Sequence, residues 1–180
     1  IPLFVDLDGT IIKEDIGQMA IKKKIFSNFF CIFNILFKFI FFGKPSVKLY
    51  VSRNYKLNFD EIHFNSACLD FISKARETNR KIFLISGSQE LVVKKIANKL
   101  NIFDDVYGTR ENYNMVSYNK VKFIHDTLGF NKFDYIGNSH QDLKVWEYSE
   151  NIIYTNVSKS LLSKINVMNK NKVCIKSIFN

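Results

Sequence analysis

Short apolar runs alternate along this chain with amphipathic stretches, and that alternation constrains the fold more than any other feature of the sequence. Ile1–Asp6 is apolar and ends in Asp-Leu-Asp-Gly, which reads as a buried strand stopped by a turn. Phe59–Thr78 has helical spacing, with Asp60 as its cap. Further strands are predicted at Lys81–Ser86, Asp105–Gly108, Phe133–Gly137 and Asn151–Thr155. Helices are predicted at Ser88–Leu100, with Ser88 at its start, at Ser117–Leu128, stopped by Gly129, and at Gln141–Tyr148. Strands separated by helices pair in parallel, because each crossover helix carries the chain back to the same end of the sheet. The predicted class is α/β, a parallel sheet flanked by helices. In such sheets ligands sit at the C-terminal ends of the strands, so the residues just after each strand carry the functional signal. A chain of 180 residues with 47% hydrophobic residues suits one domain, here with a helical insert at about 21–55.

Four strand ends carry chemistry. The first gives Asp6-Leu7-Asp8-Gly9-Thr10: two carboxylates at one strand end repel each other, and a divalent cation or a shared proton relieves the repulsion. The second gives Ser86-Gly87-Ser88 before a helix, a cradle for a phosphoryl oxygen. Lys120 lies in the first turn of a helix. The fourth predicted strand gives Gly137-Asn138-Ser139-His140-Gln141-Asp142, whose oxygens suit a hard cation.

Taken in order, DLDGT, the Ser86 of LISGS, the Lys120 of NKVKFI and GNSHQD resemble the haloacid dehalogenase-like (HAD) phosphohydrolase superfamily. The resemblance implies a Rossmann-like HAD fold with a small cap insert and a Mg²⁺-dependent phosphatase. Asp6 would be the nucleophile and Asp8 the general acid and base. Ser86 would bond the transferring phosphoryl group and Lys120 would offset its charge, with Thr10 and Gly87 also binding substrate. Asp6, Asp8, Asn138 and Asp142 would hold the metal. The family usually has an acid where this chain has Asn138, so weaker Mg²⁺ binding is expected.

The formal net charge of +9, with 22 lysines among 26 basic residues, favours an anionic partner. The lysines are scattered and no aromatic-plus-basic recognition motif accompanies them, so nucleic acid is not expected. Cys31, Cys68 and Cys174 are odd in number and far apart, which predicts neither a disulfide framework nor a metal site. The start at Ile1 rather than Met is read as that of a trimmed chain.

The 18 phenylalanines are unevenly spread, with eight in Ile25–Phe42, where 14 of the 18 residues are apolar. One helix there would be roughly 27 Å long, near the ~30 Å of a bilayer core. A single crossing would put Asp6 and Ser86 on opposite sides of the membrane. Lys24, Ser27, Asn28, Cys31, Asn34 and Lys38 share about a third of the helical wheel, so a helix lying in a membrane interface is expected, with a re-entrant hairpin, packing over the sheet or packing against a partner domain as the alternatives. PLFVDLDGT, the apolar insert, the Asn114–Lys120 approach and FDYIGNSHQDLKVW, ending in Leu143–Trp146, most resemble the HAD domain N-terminal to UbiA-type polyprenyl prenyltransferases. That resemblance implies the N-terminal part of a longer membrane protein, a phosphate ester or prenyl-linked sugar phosphate as substrate, and a place at the cytoplasmic side of the membrane or in the cytoplasm. Two other readings are a soluble phosphatase resembling phosphoserine phosphatase and a non-catalytic HAD domain supporting a membrane prenyltransferase.

Overall fold

A computed structural model describes residues 1–52 and 55–179. Six strands form one parallel sheet: β1 (Leu3–Val5), β2 (Ile82–Gln89), β3 (Asp105–Thr109), β4 (Asp134–Gly137), β5 (Ile152–Thr155) and β6 (Lys172–Ile175). The order across the sheet is β3-β2-β1-β4-β5-β6. Neighbouring strands pair in parallel throughout, with Phe4 opposite Phe83 on one side and Tyr135 on the other. The chain leaves β1 in two directions along the sheet, so a crevice opens between β1 and β4 at their C-terminal ends.

Side chains alternate across the sheet and build a core on each face. Leu3, Val5, Leu84 and Ile136 pack with Ile72 and Cys68 of α3 (Ser66–Glu77) and with Val92 and Ile96 of α4 (Glu90–Leu100). Phe4, Ile85 and Tyr135 point the other way, to Val121 of α5 (Tyr118–Lys122) and Trp146 of α6 (Leu143–Trp146). Phe4 stacks on Phe83 with ring centroids 4.9 Å apart. After α5 the chain makes a π-type turn at Phe123–Thr127.

The predicted helix starts shift for identifiable reasons. Asn65, not Asp60, caps α3, its side chain accepting from the Cys68 amide, and Phe59–Glu61 is a separate 3₁₀ turn. Gln89 caps α4, which leaves Ser88 on the strand. The helix α7 (Lys159–Asn166) and the edge strand β6 were not anticipated; α7 is short but does turn Leu161 and Ile165 inward, whereas β6 is mostly exposed and gives little apolar signal.

The insert departs most from expectation. It holds two helices, α1 (Ile16–Ser27) and α2 (Cys31–Ser52), so Ile25–Phe42 is not one helix. Asn28 ends α1 in extended geometry, and α2 breaks at Gly43, whose φ of 73° suits only glycine well. The polar stripe therefore does not run along one face. Cys31 is buried and Lys38 lies over the rings of Phe42 and Tyr50, while Phe26, Phe30 and Ile40 are 88, 75 and 71% exposed. Among the described residues no helix is long and apolar enough to cross a membrane. Residues 53 and 54 of the expected insert lie outside the described residues.

Candidate active site

Three strand ends and one helix converge on a cavity of about 490 Å³ at the β1–β4 crevice, lined by Asp6, Asp8, Ser88, Lys120 and Asn138 among others. Asp6 follows β1, and its main-chain N–H donates to the Ile136 carbonyl of β4, which ties the two strand ends together. Its side chain is almost fully buried. Asp6 Oδ1 lies 3.0 Å from Lys120 Nζ and accepts the Leu7 amide at 2.9 Å. Asp6 Oδ2 has no hydrogen-bond or ion-pair partner among the described residues. Burial pushes the Asp6 carboxyl up to about 7; Lys120 opposes this and the charges of Asp142 and Asp8 add to it.

Lys120 is itself buried, which on its own would lower its pKa, but Asp6 and Asp142 outweigh burial and hold the ammonium above its ordinary value. Lys120 Nζ donates to the Tyr135 hydroxyl at 2.6 Å, which in turn donates to Asp142 Oδ1 at 2.6 Å. Lys120 Nζ also lies 3.6 Å from that carboxylate oxygen. Tyr135 is fully buried, and burial together with Asp142 and Asp6 keeps its phenol neutral. This bridge fixes where Lys120 points. Replacing Tyr135 by Phe is expected to cost ~1–3 kcal/mol of stability, because a buried lysine and carboxylate each lose a partner. Thermal unfolding of the variant measures this, and an unchanged Tm would remove Tyr135 from the network.

Asp8 is held differently. Its Oδ2 accepts from Ser88 Oγ at 2.7 Å and Ser86 Oγ at 3.1 Å, and its Oδ1 accepts the Ile16 amide at 2.8 Å. The insert thus begins on Asp8, with Ile16 as the first residue of α1. Burial raises the Asp8 pKa against the pull of these hydrogen bonds, the direction needed in a group that gives up a proton near neutrality. Gly9 turns the chain with φ 73°, and a Cβ there would lie 2.0 Å from Asn138 Nδ2, so only glycine lets the Asn138 amide close over the turn.

Three expected roles change in this geometry. Thr10 is fully buried, and its hydroxyl donates to Asn138 Oδ1 at 3.2 Å, so it braces the loop instead of meeting substrate. Ser86 is likewise buried, its hydroxyl spent on Asp8, and Ser88, read from the sequence as a helix cap, takes the place at the cavity wall. Asp142 Oδ2 accepts from the amides of Asn138 and Ser139 and from Ser139 Oγ, while its Oδ1 holds Tyr135. Asp142 therefore shapes the loop and balances Lys120. Gly87 does line the cavity; its carbonyl accepts from Lys48 and Thr109. Ser88 was read as part of the Ser86-Gly87-Ser88 cradle but not as a site residue, and Tyr135 and Lys48 were missed. Tyr135 lies two residues before GNSHQD, but nothing in the sequence places Lys48 there.

Among the described residues no three Asp, Glu, His or Cys side chains cluster as a metal site. A hard cation would instead need mixed oxygen ligands. The Asn138 Oδ1, which accepts only from Thr10, fits that requirement, and the raised pKa of the adjoining Asp6 marks a carboxylate short of positive charge.

The six-stranded parallel α/β fold matches that of solved HAD-superfamily structures. A phosphoserine phosphatase with bound substrate aligns over 97% of this chain and 92% of its own, at 16% identity and a TM-score of 0.62. A HAD-family hydrolase from Salmonella enterica serovar Typhi aligns over 98% of this chain and 67% of its own, at 13% identity and a TM-score of 0.64. In sequence the chain is 26% identical over 168 residues to the uncharacterized protein y4nM of Sinorhizobium fredii, which covers 92% of this chain but 32% of that protein, so the chain spans about a third of its relative's length. No family model matches.

Proposed function

We propose that this chain hydrolyses phosphomonoesters through an aspartyl-phosphate on Asp6. The observation that carries the reading is the contrast between two neighbouring carboxylates. Asp6 keeps one oxygen free beside a buried lysine, while Asp8 is clamped by two hydroxyls and an amide at a raised pKa. Pairs of carboxylates in unlike settings divide into nucleophile and acid. Asp6 Oδ2 attacks phosphorus, the bond from phosphorus to the ester oxygen breaks, and Asp8 gives its proton to the departing alcohol. Water then loses a proton to the Asp8 carboxylate and attacks phosphorus, the bond to Asp6 breaks, and inorganic phosphate leaves. Lys120 offsets the charge on the phosphoryl oxygens throughout. Asp6, the Asp8 carbonyl and Asn138 would hold Mg²⁺, which supplies positive charge as an anionic phosphate approaches Asp6. Release of aryl alcohol from an aryl phosphate, with and without Mg²⁺, in wild type and Asp6→Asn, tests this reading; equal release from both proteins would sink it.

A second observation favours work at a membrane surface. Phe29, Phe30, Phe33, Phe37 and Phe41 of the insert are all more than half exposed, and Lys22, Lys23 and Lys24 lie on the adjoining helix. Large exposed apolar faces edged by lysines suit the headgroup boundary of an anionic bilayer. The same face would suit a membrane prenyltransferase domain and a prenyl-linked substrate, as the resemblance in Leu143–Trp146 implies. Flotation with vesicles containing anionic lipid is expected to carry the protein upward, and Phe33→Ser with Phe37→Ser is expected to reduce the floated fraction about tenfold. No flotation of wild type would defeat the surface reading.

A further inference from the structure

The charged lining of the cavity falls into two halves. Asp6, Asp8, Asp142 and Lys120 form the half that the proposed chemistry uses in full, and Lys13, Lys44 and Lys48, with Asp15, form the cationic half. Among the described residues none of Lys13, Lys44 or Lys48 forms an ion pair. Asp15 forms no ion pair with them, its oxygens accepting from Gln18 as the N-cap of α1, although its charge and that of Asp8 are felt at Lys48 and partly offset the burial of that ammonium.

Lys48 is the fixed member of the set. Its Nζ donates to the Gly87 carbonyl at 2.5 Å and to Asn114 Oδ1 at 3.2 Å, so an insert helix is fastened to the end of β2 beside the site. An ammonium has three donors, and the third is left for the cavity. Lys44 lies four residues earlier in α2, after the break at Gly43, and so on the same helical face. Like charges at that spacing repel, and burial pushes the Lys48 ammonium below the usual lysine range. Both costs are relieved by an anion between them.

We infer that Lys44 and Lys48, with Lys13 of the same cavity wall, bind a second anionic group on the alcohol portion of the substrate, so that the preferred phosphomonoester carries a carboxylate or another phosphate besides the one it loses. The inference rests on the phosphatase reading and adds a substrate class to it. It also gives the insert a task in selection, since the residues that would read the leaving group come from α2.

Three compounds on one carbon backbone test it: propyl phosphate, 3-(phosphonooxy)propanoate and propane-1,3-diyl bisphosphate. At low ionic strength wild type is expected to show kcat/KM at least tenfold higher for one or both compounds with a second anionic group than for propyl phosphate, and the two separate a carboxylate site from a phosphate site. The ratio is expected to shrink with added salt. Lys44→Gln with Lys48→Gln should lower that ratio at least tenfold, and Lys44→Arg with Lys48→Arg should retain most of it, which separates lost charge from lost folding. Equal kcat/KM for all three compounds would overturn the inference and leave the phosphatase standing. Binding to Asp6→Asn, measured by calorimetry, provides a readout without turnover. Tighter binding of the bisphosphate there, with no turnover by wild type, would uphold the cationic half and sink the phosphatase; equal affinities would sink the cationic half.

Discussion

Asp6→Asn is expected to lower phosphatase kcat by at least about 10³-fold, a loss of the size seen when a nucleophile is removed, and yet to make the folded chain more stable above pH 7. The first effect follows from chemistry, since an amide cannot form the aspartyl-phosphate. The second follows from linkage. Burial, opposed by Lys120, holds the folded Asp6 near pH 7, against 3.8 for an ordinary aspartate. A carboxyl whose folded pKa is raised binds its proton more tightly when folded. Its contribution is favourable below about pH 4 and is lost as pH rises toward 7, by up to ~4 kcal/mol at 1.36 kcal/mol per unit. Asn carries no such charge. The gap in stability between Asp6→Asn and wild type should therefore open between pH 4 and pH 7, as measured by urea unfolding at several pH values. Mg²⁺ should raise the Tm of wild type at pH 8 and leave that of Asp6→Asn unchanged. A variant less stable than wild type at pH 8 would show that the Lys120 pair outweighs burial.

Lys120→Met carries the other large effect. Lys120 Nζ sits between the buried carboxylates of Asp6 and Asp142. Removing the cation leaves two buried charges, and breaking a buried pair in this way costs ~3–5 kcal/mol. Asp142 keeps Tyr135, Ser139 and two backbone amides, so most of the loss falls on Asp6, which keeps only the Leu7 amide. Without Lys120 the folded Asp6 pKa rises further. The loss is then present in full above that value and fades as pH falls toward the unfolded 3.8. Adding Asp6→Asn to Lys120→Met should recover a large part of the stability, because the two residues share one interaction. Turnover should fall by about 10²–10³ in kcat, the size of losing one preorganised group that stabilises transition-state charge. An unchanged Tm at pH 8 would mean that Lys120 is not the counter-charge of the core site.

The sequence carried the strand ends well because their signals are local. An apolar run closed by Asp-Leu-Asp-Gly places two acids at a strand end whatever surrounds them, and β1, β2 and β4 fall where periodicity puts them. The helix starts were read less well: Asn65 and Gln89 cap α3 and α4, where Asp60 and Ser88 were equally good on residue type. The insert was misread because composition reports how apolar a stretch is and not where it breaks. The extended backbone at Asn28 and the positive φ at Gly43 divide what reads as one helix.

By itself the sequence determined that a parallel α/β sheet presents Asp6, Asp8, Lys120 and Asn138 from separate strand ends and a helix start, because side-chain period and strand ends are properties of short segments. Only the tertiary structure decided what each of them touches. Lys120 meets Asp6 across 114 positions of chain, and Lys48 reaches the Gly87 carbonyl across 39. Such meetings depend on sheet register, on the break in α2 and on which hydroxyl points into the crevice. That is why Thr10, Ser86 and Asp142 turned out to hold the site together, while Ser88 and Lys48 face the cavity. The physical reason is that burial and pairing energies depend on contacts between segments distant in sequence, and no local pattern of residues encodes them.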